Sequence, residues 1–172
     1  SYFEREVEQL LSEAEELLQS QEDLLEKTED AAQRQQDAEE KGEQDAAADE
    51  MKPETDRMSE QQQEVKKRTE EMMKRMEEMA EKMEKKGLNQ AAKQMKDLLE
   101  KAQQEGLQRT MQDAADELKK QFLKKACESM QNSCKSLEKM CGGFKECSGG
   151  MCGLNIQMDV KTLGRLIDRG LI

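Results

Sequence analysis

The softest donors in this 172-residue chain are five cysteines and thirteen methionines, and their spacing bears first on chemistry. Cys127, Cys134 and Cys141 are seven apart and share one side of any helix that carries them. Cys147 and Cys152 follow in CGGFKECSGGMCG, and Met140 and Met151 each precede a cysteine. Thiolates and thioethers select soft metals, which makes Cys134, Cys141, Cys147 and Cys152 the candidate ligands. Against a metal stand the absence of any C-x2-C pair and of histidine. A second reading is an interchain disulfide at Cys134 and Cys141, since like cysteines on the seam of a parallel pair would face each other. The third is that each thiol packs as a small hydrophobe. An odd count means that all five cannot pair within one chain.

The methionines pose a similar choice. Met58, Gln62, Val65, Thr69, Met72, Met76, Met79 and Met83 alternate steps of four and three, an a/d seam over four heptads. Cu(I) ligation, or a Met-lined groove for apolar peptides as in a holdase-type chaperone, are the ligand-binding readings. Position on the seam favours packing instead, as the face by which this helix meets another; Met73 lies off it. Gln21, Thr28, Gln62 and Thr69 are polar seam residues of the kind that fixes register or partner number. No catalytic constellation is visible. Without histidine, a base near neutral pH would need a perturbed Glu or Lys, and the carboxylates fall on solvated faces. Neither a P-loop nor a dinucleotide fingerprint occurs. The expectation is a non-enzyme with no cofactor.

Composition sets what must carry these residues. Charged residues make up 39%, aromatics 2%, with one Pro and no Trp, so narrow helix–helix seams are affordable and a thick core is not. The net charge of −11 is uneven: residues 1–50 carry 18 acids against 4 bases. That third would repel phosphate, which argues against nucleic acid and for an acidic first helix lying beside more basic later ones. No apolar run is long enough to span a bilayer.

The periodicity predicts an acidic helix over 1–42, opened by a Ser1–Glu4 capping box, with a seam from Phe3 and Val7 to Ala38. Residues 43–52 read as a linker, because Pro53 suits a first helical turn and breaks an interior. The Met-seam helix follows at 53–87, with acid-first i,i+4 pairs such as Glu64–Arg68 and Glu71–Arg75 on its outer face. A short helix at 88–105, capped by Asn89, and a fourth over 106–140 come next. Residues 141–153 read as a Gly/Cys-rich linker, and 154–172 as a strand (Leu154–Val160) plus a short helix. Gln21-x6-Thr28, Gln62-x6-Thr69 and Gln103-x6-Thr110 recur at a constant offset of 41, the mark of a duplicated helical unit.

QSQEDLLEKTED, RQQDAEEK, the Met-seam heptads and GLQRTMQDAADEL together resemble the coiled-coil region of large, uncharacterised bacterial membrane-anchored proteins. Their phrase G-L-x3-M-x2-A-A-x2-L is matched here by Gly106, Leu107, Met111, Ala114, Ala115 and Leu118. The resemblance covers roughly residues 10–120. It implies a bacterial cell-envelope context, with anchoring through segments not in this chain, and nothing catalytic. The expected molecule is all-α: an elongated antiparallel coiled-coil hairpin or helical bundle with a flexible Cys/Gly-rich tail. Its expected work is that of a scaffold or spacer with protein partners. Because the fourth helix lacks a partner of its own length beyond Phe122, the tail is expected to make a homo-oligomer. The alternative is a ligand-binding module, either the soft-metal binder or the holdase.

Overall fold

The computed structural model describes residues 2–152, Gly164 and residues 167–170. Ser1, and with it the capping box, and the Leu154–Val160 strand lie outside the described residues. Among those described, the chain is all-helical: α1 (Tyr2–Glu40), α2 (Gln44–Lys85), α3 (Asn89–Gln104), α4 (Leu107–Lys119) and α5 (Leu123–Cys152). α1 has 39 residues and α2 has 42, which at 1.5 Å rise per residue makes each about 60 Å long.

Three turns reverse the chain between Tyr2 and Cys152, and all three end a helix the same way. At Gly42 (φ +72°) the amide of Glu43 donates to Ala38 O and that of Gly42 to Glu39 O. At Gly87 the amide of Leu88 donates to Met83 O, and at Gln121 that of Phe122 donates to Glu117 O. A left-handed residue just past the last turn frees the backbone to satisfy the orphan carbonyls. Gly106 (φ +68°) separates α3 from α4, which together form one broken leg.

Pairings across the legs give the topology. Glu13 meets Arg75, Glu16 meets Arg68 and Arg34 meets Glu54, so α1 and α2 run antiparallel. Lys96 pairs with Glu84, and Ser59 donates to Ala115 O, so α3 and α4 return along α2. Ser129 donates to Glu117 and Ser136 to Glu105, setting α5 antiparallel to that leg. Thr28 meets Met130 and Gln35 donates to Gln121 O, which brings α5 back against α1. The legs therefore form a closed ring in up-down-up-down order, a four-legged bundle with one core running its length. Tyr2 and the end of α5 share its base; the turns at Gly42 and Gln121 form its tip.

Several sequence expectations are corrected. Residues 43–52 are not a linker: the turn is confined to Lys41–Glu43, Asn89 stands one residue inside α3 rather than capping it, and Pro53 lies inside α2. An interior proline costs about 3 kcal/mol. Burial of Met51 and Thr55 in the bundle, and the side-chain amide of Gln121 donating to Ala48 O, offset it. The 106–140 helix is two helices, broken at Lys120–Phe122. The 141–153 stretch is no linker through residue 152, since α5 continues to Cys152. Cys141, Phe144 and Cys147 recur at helical spacing and are fully buried, which outweighs the helix penalty of the glycines. At Gly143 α5 packs closely on α3: a Cβ there would lie 2.0 Å from Leu98 Cδ2, so the Leu98 side chain would have to shift.

Candidate functional site

All eight seam residues from Met58 to Met83 are buried, as is Met73. α2 touches α1, α3 and α4, so its apolar stripe is wider than a two-helix seam and takes in Met73 on a second flank. The methionines thus line a filled core rather than an open groove.

The polar seam residues separate into two kinds. Gln21 and Gln62, both fully buried, bond reciprocally: Gln21 Nε2 donates to Gln62 Oε1 at 2.6 Å and Gln62 Nε2 to Gln21 Oε1 at 2.9 Å. The offset of 41 between the two repeat copies is the offset of this pair. Thr28 and Thr69 instead turn their hydroxyls onto their own helices, donating to Leu24 O and Val65 O. Thr28 Oγ1 also lies 3.5 Å from Met130 Sδ of α5. Arg68 and Arg75, expected to pair along α2, reach across to Glu16 and Glu13 of the acidic first helix.

Cys134, Cys141 and Cys147 are buried, and Cys127 is half-buried. Six or seven residues of helix separate neighbours by about 9–10 Å along the axis, too far for a disulfide between them. The exposed cysteine stripe expected to pair two copies does not exist, because α1, α3 and α4 cover α5. Burial pushes the Cys127 and Cys147 thiols up to about 11, with Glu29 adding to the effect at Cys127. Cys147 Sγ lies 3.8 Å from Ala91 O. Among the described residues no three His, Cys, Asp or Glu side chains converge as a metal site. Of Cys152 only the helical backbone is described.

Two polar clusters had no signal in the sequence. At the α3–α4 break, Glu105 accepts from Ser136 at 2.5 Å and from Lys139 at 3.3 Å. Burial works to raise its pKa, but those hydrogen bonds and the Lys139 charge leave it below the usual value. On the α1–α5 face, Arg169 places Nε 2.7 Å from Glu138 Oε1 and Nη2 3.6 Å from Glu22 Oε2. Glu138 stands in KSLEK, which reads as a solvated face, yet its carboxylate is 0% exposed. An open recess of about 520 Å³ lies beside the α1–α2 turn and is lined by charges of both signs, including Arg34, Lys41, Glu50 and Glu54.

Fold and surface define an all-α antiparallel bundle with a filled core. The chain matches no family model, and no curated protein or solved structure matches it.

Proposed function

We propose that this chain is a structural module: a stiff helical stalk that spaces and presents protein-contact surfaces. The observation that carries this reading is the use of the whole Met58–Met83 seam, with its Gln21–Gln62 layer, inside one chain. What faces solvent is then mostly charge on helices about 60 Å long. Tyr2 and the end of α5 lie at the base, opposite a tip formed by the turns at Gly42 and Gln121. That tip sets the acidic turn around Glu39, Glu40 and Glu43 beside a basic one carrying Lys119, Lys120, Lys124 and Lys125. Phe122 is half-exposed there, with Lys125 Nζ 5.7 Å from its ring centroid. Adjacent patches of opposite sign suit recognition of a protein partner by charge.

The resemblance of residues 10–120 to coiled-coil regions of bacterial membrane-anchored proteins supports an envelope setting. No described helix is long and apolar enough to cross a membrane. Self-association through the cysteine face draws no support, since Cys134 and Cys141 are buried. Buried methionines likewise leave the holdase alternative without a ready surface. Small-angle X-ray scattering of the full chain tests the stalk. A rod-like profile with a maximum dimension of about 60–70 Å is expected from the helix lengths. A flexible-chain profile, or a rounded particle, removes the reading.

A further inference from the structure

The α1–α5 face holds a carboxylate where apolar packing would be expected. Glu138 of α5 is fully enclosed, and Glu22 of α1 stands beside it at 23% side-chain exposure. Enclosing a carboxylate is costly unless a cation with good geometry meets it. Arg169 meets both acids with different nitrogens, Nε toward Glu138 and Nη2 toward Glu22. Its side chain is itself only 18% exposed. Among the described residues of its segment, Ile167, Asp168 and Gly170 are exposed, and Arg169 is the one turned inward.

We propose that Glu22 and Glu138 form a guanidinium-binding notch on the α1–α5 face, whose occupant in this chain is Arg169, so that residues 167–170 dock on the bundle through its side chain. The guanidinium sets two nitrogens against two acids on different helices, as ion pairs at 2.7 and 3.6 Å, a span that the compact charge of an ammonium covers less well. The site thereby selects arginine over lysine. Lys139, next to Glu138 in the chain, turns instead to Glu105.

Chemical rescue in the full chain tests this. Arg169→Ala should lower the thermal midpoint by roughly 5–10 °C, the order expected for breaking a largely buried pair in a domain of this size. Millimolar methylguanidinium should restore part of that shift in Arg169→Ala and none in Arg169→Ala/Glu138→Gln; methylammonium should restore less. Arg169→Lys should lie between the parent and Arg169→Ala. An Arg169→Ala midpoint equal to the parent, or rescue that ignores Glu138→Gln, overturns the proposal. The unaltered protein gives an independent reading should the variant fail to fold. The Arg169 Nε–Hε proton should exchange with water far more slowly than that of an exposed arginine, and exchange at the exposed rate is the overturning result.

Discussion

Replacing Gln62 by Leu removes both hydrogen bonds of the central polar layer, at 2.6 and 2.9 Å, and leaves the Gln21 amide in a fully buried site. Each bond has a net worth of about 0.5–1.5 kcal/mol, and stranding a buried polar group costs about 1–3 kcal/mol. Allowing for apolar area gained by Leu, the single variant should lose about 2–3 kcal/mol, or roughly 4–12 °C in midpoint for a domain of this size. Gln21→Leu should behave alike. The double variant strands nothing, so it should return to within about 1 kcal/mol of the parent or exceed it. Urea unfolding of all four proteins, followed by circular dichroism at the helix band, gives the cycle. The coupling should be about 2 kcal/mol or more. Additive single effects would mean that the two amides do not meet and that the α1–α2 register is set elsewhere. The double variant should also hold register and stoichiometry less strictly, since no polar layer then penalises a slipped pairing.

Gly142 sits inside α5 with open space where a Cβ would go, so Gly142→Ala should stabilise by about 0.5–1 kcal/mol in denaturant titration. Gly143→Ala should fall short of it, because Leu98 must move. Gln121 holds φ +59° and its side-chain amide donates to Ala48 O, so Gln121→Val should cost at least about 2 kcal/mol by the same titration, through left-handed strain and the lost bond. The Cys147 thiol, buried and raised from 9.0 to about 11, should react with a disulfide reagent at neutral pH only as fast as the bundle opens. Because the fold favours the neutral thiol, its share of stability is intact below pH 9.0 and is lost as pH rises through about 11. Cys147→Ala should flatten that part of the stability profile.

Helix type and the α2 seam were legible in the sequence because steps of four and three, kept over four heptads from Met58 to Met83, fit the period of a helix and not that of a strand. The α1–α2 turn was misplaced because Pro53 outranked Gly42 as a signal, although Gly42 supplies the left-handed residue a helix end needs. The break at Gln121 had no signal at all. A glutamine takes positive φ there only because Gln35 donates to its carbonyl and its own amide reaches Ala48, partners far away in sequence. The glycine-rich stretch reads as flexible from its local composition, whereas Leu137, Cys141 and Phe144 at helical spacing mark an inward face. Arg169 was invisible as a partner for Glu138, since nothing in the sequence sets a surface-like glutamate opposite an arginine 31 residues on.

The central claim is that the ring closes within one chain, with the Cys- and Gly-rich α5 as its fourth leg. Amide hydrogen exchange along residues 134–147 tests it most directly. The closed bundle predicts protection there comparable to that of residues 10–28 in α1, since both should open only with the whole fold. Exchange of 134–147 at the rate of an unstructured chain, while α1 remains protected, would contradict it.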